Sequence, residues 1–193
     1  MNKFKRKKHA TAVAWLFNQL FEERLIYLNR IPVYSVVAFS GTGKTTMLEQ
    51  LVVELKARGI ALAVVKHDAH DFEIDREGKD SWRFSRAGAD VVAIASGTKA
   101  AIMENRFVPF EEVIGRISGV DLIITEGYKT GAYPKIALRR EATGNDFAVP
   151  PESCVALMSD TAVEVAVPAF TLEDISGLAD FLLRDCGLLK QEV

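Results

Sequence analysis

The sequence predicts an α/β fold in three layers, with a mostly parallel sheet between helices. Short apolar, β-branched segments alternate with segments that carry apolar residues at helical spacing. A glycine-rich segment joins the first of these strands to the first of these helices. The chain has 193 residues, which is enough for one sizeable domain of this kind and too few for two ordinary ones.

The first strand and helix form a β-loop-α-β unit with a second strand. Residues 33–39 are a short apolar run of the kind that is buried in a parallel sheet. Apolar residues at helical spacing begin at Met47 and continue to Leu55, and Gly59 ends that helix. Residues 60–65 predict the next strand, so a right-handed crossover should join two parallel strands.

The remaining elements follow the same alternation. Pro109 is expected to begin a helix, and residues 141–151 have the glycine, asparagine and proline content of a loop. Strands are predicted at 90–95, around 100–103, and at 120–125, 135–138 and 154–158, and helices at 81–86, 109–117 and 172–183.

Residues 1–30 predict a helical extension that precedes the domain of residues 31–193. Apolar residues recur there at spacings of three, four and seven, which places them on one helix face. That face would pack on the domain or on a second subunit; the alternative is a basic amphipathic helix on a membrane surface. The basic cluster precedes the apolar face rather than flanking it, which favours packing.

Composition excludes several classes of protein. The net charge of -2 provides no general attraction to nucleic acid or to anionic membranes. No segment has the about 18 consecutive apolar residues of a membrane span, and polar residues interrupt the apolar stretch after the basic N-terminus. Cys154 and Cys186 do not have metal-ligand spacing. We therefore expect a cytoplasmic protein without a disulfide.

Residues 38–45 read A-F-S-G-T-G-K-T and match the phosphate-binding loop G-x-x-x-x-G-K-[ST] except at Ala38. Gly41 and Gly43 allow a tight turn that directs backbone N–H groups at phosphate oxygens. The predicted strand before the loop and helix after it are the context that the motif requires. The sequence therefore predicts a P-loop NTPase fold that binds a nucleoside triphosphate.

The side chains of the loop have separate predicted roles. Lys44 supplies positive charge to the β- and γ-phosphates, Thr45 offers a hydroxyl ligand to Mg²⁺, and Thr46 donates to a further phosphate. The predicted nucleotide-binding residues are Ser40, Gly41, Thr42, Gly43, Lys44, Thr45 and Thr46.

A second acidic position is expected beside this loop. The strand at 120–125 has Asp121 near its beginning and Glu126 at its end. Ligands of parallel sheets bind at the C-terminal ends of strands. We therefore predict that Glu126 contacts Mg²⁺ or polarises water, as the catalytic residue, and that Asp121 is structural.

Titratable residues are concentrated between positions 66 and 80. His67 and His70 form an H-x-x-H pair, with Asp71 and Asp75 nearby, but two histidines on a loop are a weak indication of a metal site. Lys66, Lys79 and Arg83 would contact a phosphorylated ligand, although exposed loop charges are usually only solvated.

The chain resembles the MobB family of molybdopterin-guanine dinucleotide biosynthesis proteins from about residue 31 to the C-terminal helix. The resemblance lies in six blocks that occur in order, of which the phosphate loop alone is generic. They are F-S-G-T-G-K-T-T, V-K-H-x-x-H-D, D-x-x-G-K-D-S, A-G-A, T-E-G-Y-K and P-K-I.

The resemblance implies a GTP-binding protein that requires Mg²⁺, hydrolyses GTP weakly and forms a homodimer. It also implies assistance to the guanylyltransferase that joins GMP to molybdopterin. Glu126 would belong to the second nucleotide-binding motif. Residues near the cleft or the partner would be His67, His70, Asp75, Lys79, Asp80, Lys129 and Lys135.

Two other functions remain open from the sequence. A small-molecule kinase would use the same loop, with residues 66–86 as a lid, and a GTP-dependent metallochaperone would need a metal-binding cluster. No N-K-x-D motif appears, so guanine specificity rests on the resemblance alone. Arg139 and Arg140 are the arginines that would reach a neighbouring subunit, and without a positioned base hydrolysis should be slow.

Overall fold

The computed structural model describes residues 31–67 and 72–189. The predicted N-terminal extension lies outside these residues. The helices are α1 Lys44–Ala57, α2 Asp80–Arg86, α3 Phe110–Gly115 and α4 Ile175–Asp185. The strands are β1 Val33–Val37, β2 Leu62–Lys66, β3 Val91–Ala95, β4 Ala100–Glu104, β5 Leu122–Glu126, β6 Lys135–Arg139, β7 Ala156–Ser159 and β8 Ala169–Phe170.

Six strands form a sheet in the order β2-β5-β1-β6-β7-β8, and every neighbouring pair in it is parallel. The strands β3 and β4 form a separate antiparallel pair. The prediction of an α/β fold with a mostly parallel sheet is therefore confirmed. The described residues divide into two compact units: the first contains 31–67 and 117–189, and the second contains 72–116.

One face of the six-stranded sheet is covered by α1 and α4. Alternate residues of the central strands point to this face and meet the apolar stripes of the two helices. Leu51 and Leu55 of α1 and Leu178 and Leu182 of α4 are all fully buried there. The burial of these stripes is the main force that holds α1, and with it the start of the glycine-rich loop, against the sheet.

Among the described residues, connecting segments cover the opposite face of the sheet beside β1, β6 and β7. Val37, Ala137 and Leu157 pack there with Phe147 and Cys154. The predicted loop at 141–151 therefore contributes Phe147 to the core. Cys154 and Cys186 are both free thiols, as expected, and burial raises the pKa of each.

The second unit has few buried residues. Its antiparallel strands carry α2 beside β3, and Val92 and Ile114 are its buried apolar residues. Large apolar side chains stay exposed on it: Phe72, Ile74, Phe84, Val91, Ile94, Ile102 and Phe107.

An exposed ion-pair network joins β4 to α3 in this unit. Glu104 and Glu112 each contact both Arg106 and Arg116. A hydrogen bond from Arg116 is the largest cause that lowers the pKa of the Glu104 carboxyl group. Hydrogen bonds from Arg106 and then from Arg116 lower the pKa of the Glu112 carboxyl group. Because these pKa values are lowered by folding, the network stabilises at neutral pH and is lost as the pH falls through them.

The boundaries differ from the predictions mainly at one helix and one short strand. The last helix begins at Ile175 rather than at residue 172, because the Asp174 carboxylate caps it by accepting a hydrogen bond from Gly177 N at 2.9 Å. The two-residue strand β8 was not predicted, since so short a segment has no periodicity. Within the described ranges, no helix is long and apolar enough to cross a membrane.

A buried hydroxyl pair links β1 to β5. Ser35 Oγ and Thr125 Oγ1 lie 2.8 Å apart, and both residues are fully buried. The two residues are also directly opposite in the parallel register. Each hydroxyl is therefore the partner that offsets the desolvation of the other.

Replacing both members of this pair should cost less than the two single replacements added together. We expect Ser35→Ala or Thr125→Val alone to lower the free energy of unfolding by about 1–3 kcal/mol, because one buried hydroxyl loses its partner. The double variant should be less destabilised than the sum of the two. Urea unfolding of the four proteins measures this, and strictly additive losses would show that the hydroxyls do not interact.

Candidate functional site

The candidate site lies where the C-terminal ends of β1 and β5 meet. Val36 of β1 is opposite Glu126 of β5 in the parallel register. From β1 the chain passes through α1 to β2, which lies beyond β5 on one side of β1 in the sheet. The strand β6 lies on the other side of β1. Such a reversal of strand order leaves a crevice at the C-terminal edge, where α/β proteins bind ligands.

The glycine-rich loop turns tightly between β1 and α1. Gly41 and Gly43 have φ angles of 79° and 93°, which side chains other than glycine adopt at a cost. Thr42 is buried, and its hydroxyl donates a hydrogen bond to the carbonyl of Phe39 at 2.9 Å, closing the turn. The loop therefore has the tight turn that a phosphate site requires, and it lies at the N-terminus of a 14-residue helix.

Lys44, Thr45 and Glu126 contact one another beside this loop. The Lys44 Nζ atom lies 3.4 Å from Glu126 Oε1, and the Thr45 hydroxyl donates to the same oxygen at 3.0 Å. The side chains of Lys44 and Glu126 are only 18% and 14% exposed. A hydroxyl and a carboxylate oxygen are ligands suited to Mg²⁺, so Thr45 and Glu126 are the residues that could hold that ion.

Asp121 lies at the opposite end of β5. Its carboxylate accepts a hydrogen bond from the backbone N–H of Ala61 at 2.8 Å, and its own N–H donates to the Ala61 carbonyl. These bonds join the start of β5 to the start of β2. The geometry therefore gives Asp121 the structural position that was predicted and leaves Glu126 at the edge that carries the phosphate loop.

Of the other loop residues in the predicted set, Ser40, Gly41 and Thr46 are exposed. Thr46 lies in the first turn of α1. Their backbone and side-chain donors are therefore accessible to an anion at the helix N-terminus.

Arg140 also contacts this loop, although the sequence had not indicated Arg140 as a residue of the site. Its Nε donates to the carbonyl of Thr42 at 3.2 Å, and its guanidinium lies 3.5 Å from where a Cβ on Gly43 would be. Arg140 follows β6, the neighbour of β1, which brings its positive charge to the loop. The one available indication was the position of Arg140 directly after a strand, because residues that follow a neighbour of β1 lie at the same edge of the sheet as the loop.

Arg139 points elsewhere. Its guanidinium donates to the Thr161 hydroxyl at 2.6 Å and lies over the Phe147 ring at 5.1 Å. Each of the two arginines predicted to reach a neighbouring subunit thus has a partner in its own chain.

The segment after Glu126 is held in an unusual backbone conformation. Gly127 has a φ of 91°, and Tyr128 has a φ of 61°, which is uncommon for a residue with a side chain. The Tyr128 ring lies against Gly131, where a Cβ would be 2.1 Å from it, and 5.0 Å from the His67 ring. Such backbone outliers often occur at functional sites.

Two predicted lysines lie close to this segment. The Lys129 Nζ atom is 4.6 Å from the centre of the exposed Phe39 ring in the phosphate loop. Lys135 Nζ donates to the carbonyls of Gly131 and Tyr133 at 2.6 and 3.3 Å. Lys129 therefore borders the loop, whereas Lys135 holds the 131–133 turn in place.

The predicted cleft residues do not form one cluster in the described chain. Asp75, Lys79 and Asp80 belong to the second unit, where Asp80 lies 3.6 Å from Arg83 in an exposed pair. His70 lies outside the described residues, as does Asp71. Over residues 31–67 and 72–189, no group of three or more His, Cys, Asp or Glu side chains could hold a metal ion.

Comparisons with known proteins give a consistent result. The family profile of MobB, molybdopterin guanine dinucleotide synthesis protein B, matches residues 33–160. The molybdopterin-guanine dinucleotide biosynthesis adapter protein of Escherichia coli is 36% identical over 164 residues, which are 80% of this chain and 93% of that protein. The adapter protein of Haemophilus influenzae is 33% identical over 169 residues, covering 82% and 92% of the two chains.

Solved structures agree with these relatives. A crystal structure of molybdopterin-guanine biosynthesis protein B superposes with a TM-score of 0.62 at 28% identity, covering 80% of this chain and 99% of that one. The crystal structure of Bacillus subtilis MobB has a TM-score of 0.66 at 26% identity, covering 84% and 100%. The resemblance that the sequence blocks indicated is therefore confirmed.

The two carboxylates of β5 should differ in their effect on Mg²⁺. We expect Glu126→Gln to weaken Mg²⁺-dependent nucleotide binding by about tenfold or more, because it removes a negative oxygen beside Thr45. Asp121→Asn is the matched control and should change it little, since its amide oxygen can still accept from Ala61 N. Calorimetric titration with and without Mg²⁺ measures both. A larger loss in the Asp121 variant would show that Glu126 is the wrong carboxylate for the metal.

Proposed function

The chain belongs to the MobB family, and on that premise we propose that it is an adapter in molybdopterin guanine dinucleotide biosynthesis that binds GTP with Mg²⁺. The observation that supports nucleotide binding most directly is the contact of Lys44 and Thr45 with Glu126 beside the glycine-rich loop. An ammonium group and a hydroxyl there lie within 3.4 Å of one carboxylate oxygen, and these are the kinds of group that phosphates and Mg²⁺ would contact.

Each residue has a role in the proposed complex. The N–H groups of the loop and the first turn of α1 would hold the phosphates, and Lys44 would leave Glu126 to contact them. Thr45 and Glu126 would then face Mg²⁺, which would neutralise phosphate charge. Arg140, whose Nε already donates to Thr42, would add positive charge on the other side of the loop.

We propose that any hydrolysis of GTP is slow. Glu126 is the carboxylate that contacts Lys44 and Thr45 in the described chain, and in the proposed complex it would ligate Mg²⁺, which makes it a poor general base. A protein that retains its nucleotide suits an adapter, because the bound state would last long enough to meet a partner enzyme.

The proposed partner is the molybdenum cofactor guanylyltransferase, with molybdopterin as a further ligand of the complex. Lys129, which borders the loop next to Phe39, has a positive charge that would contact a phosphate of the pterin or the partner. Lys135 is less suited to this role because two backbone carbonyls already engage its ammonium group. A cytoplasmic location remains a prediction.

Titration with non-hydrolysable GTP and ATP analogues, with and without Mg²⁺, tests the nucleotide proposal. We expect Mg²⁺-dependent binding that favours the guanine nucleotide, and a loss of about a hundredfold in affinity in Lys44→Ala. Lys56→Ala, at the other end of α1, is the matched control and should bind normally.

Unchanged affinity in Lys44→Ala would remove the phosphate-loop assignment. A preference for ATP would instead favour the small-molecule kinase, which shares the loop. If guanine preference is found, the guanylyltransferase is added next, and formation of a nucleotide-dependent complex is the expected result.

We also propose that the chain forms a homodimer through its second unit. A two-stranded sheet is marginally stable alone, and both β3 and β4 have an unpaired edge within that unit. Its exposed apolar side chains are numerous for so small a unit, and Ile102 is 71% exposed. A second copy of the same surface would cover them in a symmetric contact.

A single charge on this surface should change the oligomeric state. We expect Ile102→Asp to sediment as a monomer and the unchanged protein as a dimer, because a buried carboxylate opposes association. Val53→Asp is the control, since Val53 is equally exposed at 70% but lies on α1 in the first unit. If the unchanged protein is already a monomer, the proposed dimer is contradicted, and this surface would be available to contact the partner enzyme.

A further inference from the structure

A groove extends from the phosphate loop along the outer side of α1. Its volume is about 610 Å³, which is in the range of sites that hold a nucleotide-sized molecule. Thr42, Gly43 and Thr46 line one end of it. The segment between β8 and α4 forms the facing wall with Leu172, Glu173 and Ile175.

The position of the groove determines the direction of a bound nucleotide. Lys44 and Thr45 contact Glu126 of β5, so the γ-phosphate and Mg²⁺ belong on the β5 side of β1. The groove includes Leu138 of β6 and Arg140, and β6 is the neighbour of β1 on the opposite side. A ligand whose terminal phosphate lies by Glu126 must therefore extend its nucleoside into the groove.

The walls of the groove suit a flat base with polar edges. Met47, Val53, Leu138, Leu172 and Ile175 supply apolar surface on both sides. Arg140 and Thr46 lie at the end nearest the phosphates. The polar group on the facing wall is the exposed carboxylate of Glu173.

We propose that this groove binds the base of the nucleotide and that Glu173 selects guanine. Guanine presents two neighbouring donors, N1–H and the N2 amino group, which one carboxylate accepts together. Adenine presents an acceptor at N1 and would be repelled. The inference rests on the proposed nucleotide binding at the loop. Because the sequence has no N-K-x-D motif, guanine specificity had no residue assigned to it, and Glu173 would supply it.

The other carboxylates of the groove are less suited to this role. The Glu54 carboxylate is 2.7 Å from Arg58 and accepts two of its hydrogen bonds. Glu49 is exposed on α1, on the wall opposite Glu173. In the described part of the chain, the Glu173 carboxylate has no hydrogen bond or ion pair, and the backbone carbonyl of this residue accepts from Ile175 N at 2.9 Å.

Exchange of the carboxylate for a carboxamide tests the assignment. In Glu173→Gln we expect affinity for GTP to fall by about tenfold to a hundredfold, because an amide accepts only one of the two donors. Affinity for XTP should rise, since the amide can donate to the xanthine O2 while accepting from N1–H. Glu49→Gln removes the other exposed carboxylate of the groove and should retain the preference for GTP. Glu152→Gln, an exposed residue outside the groove, is the matched control.

Inorganic tripolyphosphate separates this inference from the proposed function. It should bind the unchanged protein and Glu173→Gln equally, because it occupies only the phosphate loop. If GTP, ATP and XTP affinities in Glu173→Gln match those of the unchanged protein, the assignment is overturned. It is also overturned if Glu49→Gln, on the opposite wall of the groove, shifts the preference instead. A protein that binds neither tripolyphosphate nor GTP overturns the proposed function and the inference with it.

Discussion

The parallel pairing of β1 with β5 is the constraint on which the site depends. Because Val36 lies opposite Glu126, the end of one strand brings an acid to the point where the other strand enters the glycine-rich loop. The buried Ser35–Thr125 hydroxyl pair is specific to this register, since a slip of one residue would turn one hydroxyl to the other face. The distances from Glu126 to Lys44 and Thr45 follow from that pairing together with the packing of α1 on the sheet.

Much of this arrangement could be predicted because its signals are local. The buried strand before Gly41 and the apolar spacing of α1 indicate a strand-loop-helix unit without reference to distant residues. Glu126 followed from the general rule that parallel sheets present ligands at strand ends. The same rule sets Asp121 apart from it, and in the structure the Asp121 carboxylate accepts a hydrogen bond from the backbone of Ala61.

The residues that prediction missed act across long separations in sequence. Arg140 reaches the loop because β6 lies beside β1, and strand order cannot be read from periodicity. Glu173 lines the groove because α4 packs on α1 more than 100 residues away in the chain. Lys135 is a different case, because it was among the predicted cleft or partner residues. The carbonyls of Gly131 and Tyr133 accept hydrogen bonds from its ammonium group, and a sequence pattern does not reveal such contacts even at separations of four and two residues.

The contact between Lys44 and Glu126 has a thermodynamic consequence for the order of ligand binding. While Lys44 and Glu126 contact each other, their charges largely neutralise, so neither of the proposed ligands, a phosphate or a metal ion, meets an unopposed partner. A phosphate that attracts Lys44 exposes the carboxylate to the metal, and a metal that attracts Glu126 exposes the ammonium to phosphate. The two ligands should therefore bind with positive heterotropic cooperativity, and by linkage each should raise the affinity for the other by the same factor.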